Sequence, residues 1–135
     1  MALWKPEITD RVAIATYTTP PMNYFCADGT RELAALIEAW RDPAIRVVVL
    51  TGGIAGKFIT HYSVEELLQY ASDREALRVA GTSLTAGYHR MLSSLRDLPK
   101  PVIVAMNGDA MGGGDVKLMA AIGCLSAAAH RLPSA

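Results

Sequence analysis

Three short runs of aliphatic, mostly β-branched residues mark the chain: Val12–Tyr17 (VAIATY), Ile45–Thr51 (IRVVVLT) and Val102–Met106 (VIVAM). Their length and composition predict strands. The second run has almost no polar alternation after Arg46, the pattern of a strand covered on both faces in a parallel sheet. Between the first two runs, Leu33, Leu36, Ile37 and Trp40 recur at helical spacing and predict a helix that buries one face. Asp28 or Thr30 can cap it, and Asp42-Pro43 ends it. Ser63-Val64-Glu65-Glu66 and Ser72-Asp73-Arg74-Glu75 both match capping boxes. The first opens a short helix. The second opens a long one, with Leu77, Leu84, Tyr88, Met91, Leu92 and Leu95 near one stripe. Gly81 and Gly87 inside it each cost about 1 kcal/mol relative to Ala, so a break is expected there. The double proline of Thr18–Asn23 (TTPPMN) and Leu98-Pro99-Lys100-Pro101 interrupt regular structure. The resulting order β, α, β, α, α, β, α predicts a mostly parallel α/β domain with right-handed crossovers.

Composition narrows the partners. With 51% hydrophobic and 19% charged residues in 135, the chain is globular. Its 13 basic and 13 acidic residues cancel, leaving no global field to draw nucleic acid or an anionic membrane. Small molecules or other protein chains are the expected partners. Cys26 and Cys124 form no CxxC pair and read as free thiols of a reducing cytosol. The N-terminus lacks the apolar run of a secretory signal, and Leu118–Ala129 is too short to span a bilayer. A cytoplasmic location is expected.

Leu98–Asp115 (LPKPVIVAMNGDAMGGGD) carries the strongest chemical signal. A strand runs into the Asn107-Gly108 turn, then into Gly112, Gly113 and Gly114, with helical sequence after them. That layout aims backbone N–H groups at one point, where they can hold an anion or a developing oxyanion. Gly52–Lys57 (GGIAGK) is one residue short of a nucleotide phosphate loop and has Phe58 where Ser or Thr should stand. Lys57 is either a contact for phosphates or a solvated loop lysine. His61 and Tyr62 either move protons or simply shape a loop. Cys26 with His61 would make a thiolate dyad if the fold joined them. Glu65 and Glu66 are helix-start charges or stand-in catalytic carboxylates. Asp109 and Asp115 read as turn and cap residues, and His89 as a helix surface residue. No residue is assigned to a metal.

Three segments together resemble the enoyl-CoA hydratase/isomerase (crotonase) superfamily. They are TPPMN (Thr19–Asn23), RVVVLTGG followed by KF (Arg46–Phe58), and LPKPVIVAMNGDAMGGG (Leu98–Gly114), in consistent order and spacing. The resemblance implies an incomplete crotonase-like ββα spiral of the α/β class. Residues 1–114 would form an N-terminal core and 115–135 a divergent helical tail. It implies binding of acyl-CoA thioesters, with coenzyme A as part of the substrate and no separate cofactor. The family's trimers and hexamers are not expected of so short a chain.

The family holds the thioester oxygen, as it becomes an enolate, with two backbone N–H groups, each worth about 3–4 kcal/mol. Its Ala-Gly-Ala-Asp stretch matches Thr60, His61, Tyr62 and Ser63, which makes Tyr62 the first donor and Gly113 the second. Met22, Lys57, Phe58, Thr60, His61 and Gly112 are the implied substrate contacts. His61 stands where the family has glycine. Val116 stands where its hydratases carry one Glu, and the position of a second falls at or beyond the end of the chain. The pattern fades after Gly114, as a truncation or frameshift would make it. The implied activity is hydration or isomerisation of an enoyl-CoA, impaired in this chain. The alternative is a non-catalytic acyl-CoA-binding or subunit-interaction module.

Overall fold

The computed structural model describes residues 1–112. Gly113, Gly114, Asp115, Val116, Cys124 and the expected tail at 115–135 lie outside the described residues. The described chain runs β1 (Trp4–Thr9), β2 (Val12–Tyr17), α1 (Ala27–Ala39), β3 (Val47–Gly52), β4 (Gly56–Ile59), α2 (Val64–Ser72), α3 (Arg74–Ala80), α4 (Ser83–Arg96), β5 (Val102–Ala105) and β6 (Gly108–Ala110). The three aliphatic runs are β2, β3 and β5. They lie side by side and parallel, with β1 added antiparallel to β2. β4 and β6 pair in a second, parallel sheet.

The sequence pattern misses β1, β4 and β6. β1 is an edge strand exposed along its length after Trp4, so it carries no apolar alternation. β4 and β6 are short and begin on glycines. β3 also departs from expectation. Val48, Leu50 and Gly52 are buried, whereas Val47, Val49 and Thr51 are half-buried, so one face is only partly covered. Its uniformly apolar run therefore overstates the burial of its second face.

The core forms where α1 meets the sheet. Leu33, Ile37 and Trp40 are buried with Tyr17, Phe25, Val48 and Leu50. The Trp4 indole donates to the Gly29 carbonyl at 3.0 Å, and Glu32 accepts from the Leu3 and Trp4 amides at 2.8 and 2.9 Å. These contacts fasten the edge strand β1 to α1. The cap of α1 is Cys26, whose sulfur accepts from the Gly29 N–H, and not Asp28 or Thr30. Both of those lie inside the helix, because the bridge that Phe25 makes to Tyr62 fixes where extended chain ends.

Ser63 caps α2 as its sequence suggests. Asp73, one residue after Ser72, caps α3. The long helix breaks at Gly81, which has φ 51° and ends α3, while Gly87 stays within α4. Only the second half of the stripe packs: Met91 and Leu95 are buried, but Leu84 is exposed. Lys100 locks the start of β5 to the end of α1. Its ammonium donates to the carbonyls of Trp40, Asp42 and Ile45, the last two at 2.9 and 2.8 Å. Among the described residues, no helix is long and apolar enough to cross a membrane.

Candidate active site

Parallel β2, β3 and β5 all release the chain at one end of the sheet, where ligands collect in open α/β folds. The segment leaving β2 is anchored by Asn23. This residue is fully buried and has φ 59°, a left-handed conformation that Asn tolerates better than most residues. Its Oδ1 accepts from the Thr19 amide at 2.7 Å. Its Nδ2 donates to Tyr17 O at 3.2 Å and to Phe58 O. One side chain thus joins the exit of β2 to β4. Nearby, the Thr60 hydroxyl donates to Met22 O at 2.5 Å.

The same two segments then pair. Phe25 N donates to His61 O and Ser63 N donates to Phe25 O, both at 2.7 Å. In a parallel bridge of this kind the backbone groups of the intervening residue face the other way. The Tyr62 N–H therefore points away from Phe25, and it makes no hydrogen bond to a described residue. The Tyr62 ring meets Phe25 and Tyr88 edge-on, with centroids at 6.3 and 6.4 Å. Burial, then its hydrogen bond to Glu66, pushes the Tyr62 phenol well above its ordinary value. Glu66 also accepts from the Ala27 amide at the start of α1 (3.0 Å). That charge sits at the positive end of a helix and ties the 61–63 segment to α1.

The third segment arrives through β6. Gly56 pairs with Gly108, Lys57 with Asp109 and Ile59 with Ala110. Gly108 has no alternative here, since a Cβ would lie 2.0 Å from the backbone carbon of Gly56. The side-chain amide of Asn107 holds the approach. It accepts from Gly52 N at 3.1 Å and donates to Gly52 O at 2.8 Å. The register carries the chain to Gly112, where φ is 52° and the nearest side-chain atoms belong to the His61 ring. His61 Nε2 lies 3.4 Å from where a Cβ at Gly112 would stand.

Met22, Thr60, His61, Tyr62 and Gly112 are thus brought to one locality, while Gly113 lies outside the described residues. Two implied contacts differ from the rest. Phe58 is fully buried in the core, so its ring supports the sheet and presents no surface to a ligand. Lys57 is half-buried on β4, opposite Asp109.

The remaining sequence candidates resolve as follows. The Gly52 loop is no phosphate cradle. Gly52 N is bound to Asn107, Gly53 N to Tyr17 O at 2.7 Å, and Lys57 N to Ile54 O at 3.0 Å. Gly52 and Gly53 serve close packing and not flexibility: a Cβ would meet Lys57 O at 2.4 Å and Thr18 Oγ1 at 2.0 Å respectively. The Cys26 sulfur faces the Gly29 N–H and the Tyr17 hydroxyl, 3.6 Å away, as a cap. Glu65 is exposed on α2, and His89 is exposed on α4. The sequence gives Asn23 and Asn107 no role beyond a turn. The pairing of each Asn with a proline or glycine turn was the available signal.

This is a crotonase-like fold, and the chain spans about half the length of solved proteins that share it. Pseudomonas aeruginosa DspI superposes with a TM-score of 0.76 at 27% identity, over 92% of this chain and 48% of that one. An enoyl-CoA hydratase from Bacillus anthracis matches in fold with a TM-score of 0.74 at 24% identity, over 87% of this chain and 45% of that one. The sequence profile of the enoyl-CoA hydratase/isomerase family matches residues 7–130, and the chain belongs to that family. The match runs past Gly114, where the recognisable motif ends. Carnitinyl-CoA dehydratase of Proteus mirabilis (strain HI4320) is 34% identical over 119 residues, which is 86% of this chain and 43% of that protein. The corresponding protein of Citrobacter koseri is 35% identical over 123 residues, 89% of this chain and 44% of its own length. The chain therefore spans less than half the length of these relatives.

Proposed function

We propose that the chain binds an acyl-CoA thioester with its carbonyl oxygen against the Tyr62 N–H, Gly113 supplying the second donor. Coenzyme A enters as part of the substrate. The observation that carries this reading is the Tyr62 amide, turned away from its strand partner and without a hydrogen-bond partner among the described residues, on a segment packed against Gly112. A preorganised donor of this kind stabilises an oxyanion by about 3–4 kcal/mol without involving a side chain. Replacement of the family glycine by His61 narrows the same space, and Met22 and Thr60 hold its wall. Hydration of an enoyl thioester also needs a positioned acid or base for water. Val116 is aliphatic where the resemblance puts a carboxylate, so hydration by this chain is weak or absent.

The second reading is an acyl-CoA-binding module that associates with other subunits. It is favoured by Val64, Leu67, Leu68 and Val79, large apolar side chains exposed along α2 and α3. Titration calorimetry with crotonyl-CoA, run beside a hydration assay, tests both. Binding with little turnover is the expected result. Turnover at the rate of a full-length family member refutes the impairment, and absence of binding refutes the thioester site.

A further inference from the structure

We propose that His61 is a general base of this site, able to remove and return a proton at the carbon next to the thioester. The inference rests on the acyl-CoA reading above and adds a proton-handling group to it. His61 Nδ1 lies 2.8 Å from the carbonyl oxygen of Tyr62. A carbonyl only accepts, so in the neutral ring Nδ1 carries the hydrogen and Nε2 keeps its lone pair. That bond also fixes the ring plane. Nε2 is left on the Gly112 side, and the three side-chain atoms nearest a Cβ position at Gly112 all belong to this imidazole. The ring is half-buried, within reach of a ligand and partly shielded from water.

No other described titratable group competes for the place. Glu66 is spent on the Ala27 amide and the Tyr62 phenol. Glu65 lies exposed on α2, and Asp109 lies exposed on β6 opposite Lys57. The Cys26 sulfur is engaged at the start of α1.

The step balances without a co-reactant. Nε2 takes the α-proton, and the C–H electron pair moves to form the enolate. The enolate oxygen is held by the Tyr62 N–H. The imidazolium then returns a proton to the same carbon, or a deuteron once its N–H has exchanged with solvent. Such exchange needs one base and one oxyanion donor, whereas hydration needs water activated as well. A chain poor in hydration can therefore still exchange.

The test is incubation of the whole chain with butyryl-CoA in deuterium oxide, following the α-CH2 signal by NMR. Binding of butyryl-CoA is measured in parallel by calorimetry. The expected result is exchange by the wild type and a loss of about 100-fold or more in His61→Gln, with binding still measurable. His61→Gly, which opens the space instead of filling it, is expected to stay equally slow. Binding without exchange in the wild type overturns the His61 assignment alone. So does exchange that survives in either variant. Absence of wild-type binding overturns the acyl-CoA reading and this assignment with it.

Discussion

Replacing Asn23 by Ala isolates the residue that joins β2 to β4. The substitution strips the Thr19 amide of its acceptor and the Phe58 carbonyl of its side-chain donor, both close to a fully buried position. Tyr17 O loses less, since it keeps the Gly53 amide at 2.7 Å. Losing these two hydrogen bonds at a buried position costs about 1–3 kcal/mol each. Placing alanine at φ 59° adds roughly 1 kcal/mol, because its Cβ crowds the following carbonyl and it lacks the local hydrogen bonds of Asn. The expected loss is about 3–7 kcal/mol, a large share of the ~5–15 kcal/mol that holds a typical domain. Asn23→Gly removes the same hydrogen bonds but accepts the positive φ, so it should be about 1 kcal/mol milder than Ala. Urea unfolding followed by the fluorescence of Trp4 and Trp40, both 2% exposed, measures each variant. A loss below about 1 kcal/mol for Ala, or a Gly variant weaker than Ala, refutes the assigned role.

Two further outcomes follow from the geometry. Gly108→Ala should destabilise by about 3 kcal/mol or more, its Cβ falling 2.0 Å from Gly56 backbone, whereas Gly87→Ala should stabilise by about 0.5–1 kcal/mol. Nothing lies within 4 Å of a Cβ at Gly87, and midpoints of urea unfolding distinguish the pair. At alkaline pH, burial holds the phenols of Tyr17, Tyr62 and Tyr88 above the ordinary 10.0, with Tyr88 pushed up to about 12. The unfolded chain then releases these protons first and binds fewer than the native one. Stability is therefore full below pH 10 and falls as pH rises from there. Unfolding free energies at pH 8, 9, 10 and 11 check the sign: a flat or rising profile above pH 10 contradicts it.

Where aliphatic side chains repeat with a local period, the chain announced its own structure. β2, β3, β5 and the buried face of α1 follow from spacing alone, and so does the break at Gly81. β4 and β6 did not announce themselves, because three or four residues with glycines carry no period. The cap of α1 moved from Asp28 or Thr30 to Cys26 because a bridge to Tyr62 ends the extended chain there. Glu66 read as one half of a capping box. The fold gives it to the Ala27 amide, a partner on another helix.

By itself, the sequence determined β2, β3, β5 and the helical segments, where the glycines fall, and the family whose pattern they follow. Only the tertiary structure decided that Phe25 would turn the Tyr62 amide outward, that Gly56 and Gly108 would cross without side chains, and that His61 would rest on Gly112. The division has a physical origin. Periodicity and turn chemistry act between near neighbours, whereas an amide is turned away from its strand partner, or an imidazole oriented, by residues that become neighbours only when the sheets close.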